Sequence, residues 1–442
     1  MKVLALGGSG GMGRFAVATC MAFDNVSEVI VADINADAAI AFATSMNEKV
    51  SGIGLDVTDT NALKSEMEKV DVVINTVGPF YKYGPPILEA AIDKSCHYLD
   101  INDDWEPTLE MLALHEKAES NSITAILGMG ASPGLTNMLG AAAIQELDET
   151  ETLYTGWTMD GAAPEEESSQ SGLNAAMIHA VQQMTGKVRI QDKGEAKMVK
   201  PLKEIEVDLP GFNKFKPRIF GHPEAITFPH HFDSIKNSIN LAHGSGFGLL
   251  RWIMKLVDWK IISVEKAASI VQNLSSDKRK ELEEAGMENG IDLSGANSED
   301  PPPLYAVASG KKDGVEAACT ATFKSSGLIS MGEATGIPLA CGLKLLIDGK
   351  IQKKGVFAPE GAINPYDFFK ELSIPPIPHL PTPLLLLPCR LLLANPAALR
   401  LGLRLRSTRE RHRRTSRPSA RRWPGLRGGR LGKRLLWRRG GP

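Results

Sequence analysis

Val3-Leu4-Ala5-Leu6-Gly7-Gly8-Ser9-Gly10-Gly11-Met12-Gly13 lies at the start of the chain, and its reading decides the fold. Residues 3–6 read as a short buried strand. They pass directly into glycines at positions 8, 10 and 13, the G-x-G-x-x-G spacing that opens a helix after a strand. Each glycine has a physical reason. Gly8 permits the tight turn, Gly10 leaves no side chain where the backbone meets a pyrophosphate, and Gly13 lets helix and strand pack closely. Gly11 and Met12 complete the loop, and the helix behind it turns free N–H groups and a positive dipole end toward phosphate. Asp33 follows about 20 residues later at the end of a second strand, where a carboxylate accepts from ribose hydroxyls. No Lys or Arg stands between Asp33 and Lys49, so nothing nearby neutralises a 2′-phosphate. NAD is the expected cofactor, with NADP possible.

Further apolar runs at 29–32, 50–55, 70–75, 97–101 and 123–127 are apolar on both faces, as strands covered on both sides must be. Helical patterns at 11–24, 36–47, 61–69, 86–93 and 109–120 alternate with them, with Thr58 and Asp59 placed as caps. This βαβ rhythm predicts a Rossmann doubly wound parallel sheet. Strand ends then supply further cofactor contacts: Asp56 and Val57 toward the adenine, and Thr76, Val77 and Gly78 beneath the nicotinamide ribose. After Pro133-Gly134 the periodicity changes. A helix at 138–146, further segments at 151–159 and 171–184, short alternating segments such as 205–209, helical stretches at 249–257 and 264–284, and a hairpin of 304–309 with 315–323 around Gly310–Gly314 predict an α+β second domain with an antiparallel sheet. Long helical patterns at 330–348 and 365–372 close the body, and 297–303 reads as a surface loop. The expected division is a dinucleotide-binding domain over 1–132, a substrate and dimerisation domain over 133–328, C-terminal helices over 329–373 that pack back on the first domain, and a tail over 374–442.

The chain has 442 residues, enough for two or three domains, and a formal net charge of −2. That balance hides a division. From residue 374 onward sixteen Arg and one Lys face a single acid, Glu410, so the tail carries +16 and the body −18. Two readings of the tail stay open, a basic arm or residues translated from the wrong frame of a GC-rich gene, and both predict disorder because no packed core is available. The body gives no reason to expect a nucleic-acid or membrane surface. Five scattered Cys without C-x-x-C spacing argue against a disulfide framework or a zinc site, and no metal-ligand spacing occurs. The apolar run at the N-terminus is too short for a signal peptide, so a cytoplasmic location is expected.

Gly78-Pro79-Phe80, Tyr83-Gly84-Pro85, His97-Tyr98-Leu99-Asp100 and above all Gly130-Ala131-Ser132-Pro133-Gly134-Leu135-Thr136-Asn137 resemble the saccharopine dehydrogenase-like oxidoreductases. Lysine 6-dehydrogenase is the nearest likeness, with saccharopine reductase and carboxynorspermidine dehydrogenase as relatives. The resemblance runs from Met1 to about Leu372, takes in Gly332–Gly336 and Lys354–Glu360, and stops at the tail. It implies NAD(P)-linked hydride transfer at a carbon–nitrogen bond of an amino acid or imine, in a homodimer. Asp100, Tyr83 and His97 are the expected catalytic groups, with Asp100 gripping the substrate amine. Asn137 and Asp103 are expected substrate contacts. Asp103 and Asp104 also suit the start of a helix at Trp105, and Glu165–Glu167, His179, His230 and His231 are weaker candidates, better read as solvated or core residues. A non-catalytic dinucleotide sensor is the alternative from a different class, and a carboxynorspermidine dehydrogenase-like enzyme the alternative within the family.

Overall fold

The computed structural model describes residues 1–160, 175–212, 214–244, 247–273, 281–282, 301–324, 330–373, 385–386 and 390–393. The first sheet carries β1 (Lys2–Leu6), β2 (Glu28–Asp33), β3 (Val50–Gly54), β4 (Val72–Asn75), β5 (His97–Asp100) and β6 (Thr124–Ile126). All are parallel, in the order β6-β5-β4-β1-β2-β3. Crossing between them are α1 (Gly13–Cys20), α2 (Ala36–Ser45), α3 (Thr60–Met67), α4 (Phe80–Asp93), and α5 (Trp105–Leu112) with α6 (His115–Ser120). This is the predicted doubly wound sheet. The chain folds so because alternate residues of each strand enter different cores. Val3, Ala5, Val29, Val31, Val72, Ile74 and Leu99 join one apolar cluster, and Leu4, Leu6, Ile30, Ala32, Val73 and Tyr98 the other. Burying such side chains stabilises by about 1.5–3 kcal/mol each, so only a sheet covered on both faces satisfies the pattern.

Local chemistry sets the helix starts. Asp59 caps α3 by accepting from the N–H groups of Asn61 and Ala62, both at 3.1 Å, as the sequence predicts. The expected helix at 86–93 begins six residues earlier, after Pro79, and carries Pro85 and Pro86 in its second turn. The expected single helix at 109–120 is two helices, α5 and α6, separated at Ala113 and Leu114.

Beyond β6 lie α7 (Leu135–Gln145), β7 (Glu149–Thr158), α8 (Ala175–Gln183), β8 (Val188–Asp192), β9 (Glu195–Val199), β10 (Arg218–Phe220), α9 (Glu224–His231), β11 (Asn237–His243), α10 (Phe247–Asp258), α11 (Val264–Gln272), β12 (Leu304–Lys312) and β13 (Val315–Lys324). β12 and β13 form the expected hairpin. The second sheet is mixed, not wholly antiparallel, because β7 and β11 run parallel while their other pairings are antiparallel. The segment 205–209 forms no strand and makes only an isolated bridge at Val207 to Phe215.

The C-terminal part of the body reaches back to the first sheet. α12 (Met331–Ile347) lies on α1, and a Cβ on Gly336 would come 2.4 Å from the Met12 carbonyl oxygen, a contact that only glycine allows. Gly355–Phe357 adds a seventh parallel strand beside β6. Of the tail, Leu385–Leu386 and Arg390–Leu393 form two short strands on β13, where the sequence leads one to expect disorder; its remainder lies outside the described residues.

His231, at the end of α9, is half-buried against this returning segment and its Nε2 accepts from the Ala358 N–H at 3.2 Å. Burial, with His230, Lys353 and His115 adding repulsion, pushes its pKa from 6.5 down to about 3. A depressed histidine contributes stability that is complete above about pH 6.5 and is lost as the pH falls toward 3. His231→Gln keeps an acceptor but cannot titrate. The wild type should therefore lose up to about 1.4 kcal/mol per pH unit relative to the variant across this window. Denaturant midpoints of both proteins at pH 7, 5.5 and 4 check this, and parallel curves would remove His231 as the titrating group.

Candidate active site

The carboxyl edge of the first sheet gathers the ends of β1, β2, β4 and β5, with Leu6 opposite Ala32 and Asn75, and Asn75 opposite Asp100. The glycine loop leaves β1 there. Gly7 N–H bonds to the Ala32 carbonyl at 2.8 Å and Gly10 N–H to the Gly7 carbonyl at 3.0 Å, which curls the loop back toward α1. Gly13 sits against that curl, where an added Cβ would meet the Gly7 oxygen at 2.3 Å. α1 opens without a side-chain cap and without an acid in its first turn, so its N–H groups and dipole face the loop as a phosphate site requires.

Asp33 is half-buried at the end of β2. The Ser9 hydroxyl donates to its Oδ2 at 2.7 Å and the Asn35 N–H to its Oδ1 at 3.1 Å. The glycine loop thus fixes the carboxylate beside itself, where a ribose would lie, and Ile34 beside it is 79% exposed. Asp56 is exposed just past β3 and accepts from both the N–H and the hydroxyl of Thr58, at 2.9 and 2.7 Å. Those bonds, with Lys82 nearby, hold its carboxyl below the usual range. Val57 packs into the core below it.

Thr76 and Val77 serve the backbone. The Thr76 hydroxyl bonds to the carbonyls of Leu6 and Gly7 at 2.9 and 3.0 Å, stapling β4 to the loop, and the Val77 N–H bonds to Asn75 Oδ1 at 2.9 Å. Gly78 is different. It is exposed and an added Cβ would meet nothing within 4 Å, so open space lies over the backbone where the sequence puts the nicotinamide ribose. Loop, helix end, Asp33 and this open step together fit a dinucleotide.

The expected catalytic residues fare differently. Tyr83 on α4 is half-buried, and Lys82 lies over its ring at 4.7 Å with Nζ 3.0 Å from its hydroxyl. His97 begins β5, opposite Val72 at the amino end of the sheet, and its Nδ1 accepts from the Thr124 N–H at 2.9 Å. It therefore lies a strand's length from the cleft. Asp100 is at the correct end but fully buried. Its Oδ1 accepts from the N–H groups of Asn102 and Gly128 at 3.0 and 2.7 Å, and its Oδ2 from the Tyr98 hydroxyl at 2.9 Å. Burial pushes its pKa up to about 6 against these bonds. This geometry gives Asp100 a positioning part, joining β5 to the loop after β6, in place of the contact with a substrate amine that its sequence context suggests.

Asp103 is half-buried at the same edge, and its carbonyl accepts from Gln183 of α8 at 2.8 Å, so α8 meets the edge of the first sheet here. Asn137 is buried in α7, accepting from the Gly134 N–H and donating to Glu360, both at 2.7 Å. His231 faces the returning C-terminal segment, and the exposed His230 packs on it with ring centroids 4.8 Å apart. Glu165–Glu167 and the His179 side chain lie outside the described residues.

Sequence reasoning missed a polar cluster built on Ser132. The Ser132 hydroxyl donates to Glu224 Oε1 at 2.7 Å and lies 3.1 Å from His222 Nδ1. Thr136 and Asn240 also donate to Glu224 Oε1, at 2.6 and 2.9 Å. Trp157 stacks on His222 with ring centroids 5.2 Å apart. The only signal in the sequence was the Ser in Gly130–Asn137, because Glu224 and His222 occur where charged residues normally face solvent.

A glycine-loop α/β sheet of this geometry fits a dinucleotide, and the comparisons with known proteins agree with that. Residues 3–126 match the family model of the saccharopine dehydrogenase NADP binding domain, which supports NAD(P) binding by this part of the chain. Over 132 residues the chain is 28% identical to a probable mitochondrial saccharopine dehydrogenase-like oxidoreductase of Arabidopsis thaliana, covering 25% of this chain and 29% of that protein. The apo saccharopine dehydrogenase (L-Glu forming) of Saccharomyces cerevisiae shares the fold, with a TM-score of 0.53 at 17% identity over 84% of this chain and 97% of that one. The resemblance to saccharopine dehydrogenase-like oxidoreductases holds. Among the described residues no helix is long and apolar enough to cross a membrane.

Proposed function

We propose that the protein is an NAD(P)-dependent oxidoreductase acting on a carbon–nitrogen bond of an amino acid, of the saccharopine dehydrogenase or lysine 6-dehydrogenase type. The observation that carries this reading is that the dinucleotide cradle and the polar wall around Ser132 open on the same carboxyl edge of one sheet, the edge where such folds bind ligands. A bound dinucleotide would accept or donate the hydride. The glycine loop and α1 would hold its pyrophosphate, Asp33 its ribose, and the open backbone at Gly78 would let the nicotinamide end lie flat. Tyr83 and Asp103 remain the residues proposed near the reacting carbon. Four buried free cysteines among the described residues suit a reducing compartment, and we place the enzyme in the cytoplasm, as a homodimer. The burial of Asp100 and the position of His97 at the amino end of β5 are what favour the alternative of a non-catalytic dinucleotide sensor. Screening amino acids, L-lysine and L-saccharopine first, for spectroscopic NADH formation separates the two. Dinucleotide binding without turnover of any amino acid or imine would leave the sensor.

The cofactor preference is NAD. Asp33 would repel a 2′-phosphate, and Ile34 is exposed beside it. Asp33→Ser combined with Ile34→Arg should shift the ratio of the two dissociation constants toward NADP by about two orders of magnitude, because a charge-assisted hydrogen bond replaces a repulsion. An unchanged ratio would take Asp33 out of the cofactor site.

A further inference from the structure

The Ser132 cluster is costly and no part of dinucleotide binding needs it. Glu224 is fully buried, receives its three side-chain hydrogen bonds on Oε1 alone, and leaves Oε2 without a partner among the described residues. A buried carboxyl with an idle oxygen is a penalty that an apolar side chain would avoid, and such penalties concentrate at functional sites. Its position is also defined. A Cβ on Gly130 would come 3.0 Å from the Thr335 side chain, and a Cβ on Gly332 would come 2.6 Å from the Gly11 carbonyl. Thr335 and Gly332 are three residues apart on α12, so the Ser132 loop and the phosphate loop are separated by about one helical turn. Within the cluster Glu224, Asn240 and His222 are buried, while Ser132 is half-exposed. Charge then selects the ligand. The field of Asp103 reaches Glu224 and that of Glu224 reaches Glu360, so three acids gather behind this wall, and His222 is the basic side chain in contact with Ser132; the balance suits a cation.

We propose that Ser132 contacts the amino group of an amino-acid substrate, with Glu224 as the acceptor of its hydroxyl proton and His222 as the residue that positions that hydroxyl. This rests on the reading of the site as an amino-acid oxidoreductase. As a bound ammonium hands one proton to Ser132 Oγ, Ser132 passes its own to Glu224 Oε1. A neutral amine with a free lone pair and a neutral Glu224 result, and charge and protons balance. Burial has already raised the Glu224 carboxyl above its ordinary pKa, which suits it to receive that proton.

The test is calorimetric titration of the full chain with L-lysine, L-saccharopine and hexanoate, with and without NADH, in the wild type and in Ser132→Ala, Ser132→Thr and Glu224→Gln. At least one amine probe should bind the wild type and hexanoate should not. Ser132→Ala and Glu224→Gln should weaken that probe by about tenfold or more, the loss of one hydrogen bond to a charged group. NADH affinity should stay unchanged in Ser132→Ala while Tm falls with the lost bond to Glu224, and Ser132→Thr should restore most of the amine affinity, which a merely structural role would not require. If Glu224→Gln fails to fold, the Ser132 pair still decides. No binding of either amine by the wild type, equal binding of hexanoate, or Ala and Thr variants that behave alike would overturn the proposal. Failure of the dinucleotide reading would appear separately, as a wild type that does not bind NADH.

Discussion

Gly13→Ala should abolish useful dinucleotide binding and lower the stability of the first domain, although it adds one methyl group. That methyl would lie 2.3 Å from the Gly7 oxygen, 2.7 Å from Gly8 Cα and 2.9 Å from Thr76 Oγ1. Two of those neighbours are backbone and the third is the hydroxyl that staples β4 to the loop, so relief comes only by moving α1 away from the turn. Overpacking of this kind costs about 1–3 kcal/mol of stability. Binding should suffer more. If the displaced loop loses two N–H bonds to pyrophosphate, at about 1.5–3 kcal/mol each, affinity falls by about two to four orders of magnitude. Gly78→Ala is the matched control, because its methyl meets nothing within 4 Å. It should leave Tm unmoved while weakening NADH binding by crowding the nicotinamide end. Isothermal titration with NADH and thermal melts on both variants check the pair, and a Gly13→Ala protein that binds NADH normally would show that the loop does not hold the pyrophosphate.

The parts of this molecule that can be read from its sequence are those whose physics is local. A strand buried on both faces shows as an apolar run, and all six apolar runs at the head of the chain are strands of the first sheet, although the edge strand β3 exposes Ser51 and Gly54. The glycine loop and Asp33 are equally legible, since close backbone approach and a ribose acceptor each demand one residue type at one spacing. The features that are not legible depend on partners distant in the chain. Gly355–Phe357 is too short to read as a strand until β6 offers its edge, and the parallel pairing of β7 with β11 is invisible where intervening hairpins suggest antiparallel neighbours. The same holds in the site. His97 and Asp100 sit in one four-residue strand, yet strand direction sends one to the amino end and burial encloses the other. Glu224 becomes notable only when Ser132, Thr136 and Asn240 converge on it.

Asp100 shows how such a residue acts from inside. Asn75 Oδ1 accepts from the Val77 N–H, its Nδ2 donates to the Tyr98 hydroxyl, and that hydroxyl donates to Asp100 Oδ2. The direction of this chain is fixed by Val77, and it ends on an atom that only accepts. Asp100→Asn would present an NH₂ group either to the Tyr98 hydroxyl, which then lacks an acceptor, or to the N–H groups of Gly128 and Asn102. The first orientation orphans one buried donor and the second orphans two, at about 1–3 kcal/mol for each, and Asp100→Ala, which orphans three and opens a cavity, should lose about 3–5 kcal/mol. The raised pKa works in the opposite direction. With Asp100 at about 6 in the fold against 3.8 for the ordinary carboxyl, the folded state binds the extra proton between those values, so this group's contribution to stability declines as the pH rises from 3.8 to 6 and is flat above. Asp100→Ala should erase that slope while lowering the whole curve. Since Val77 and Gly78 hang from the same chain of bonds, NADH affinity should fall with stability in both variants. A direct grip on a substrate amine would instead leave stability and NADH affinity intact and remove turnover alone. Urea midpoints at pH 4, 6 and 7.5 alongside NADH titrations distinguish the outcomes, and a stable Asp100→Ala protein with normal NADH binding would return Asp100 to the cleft.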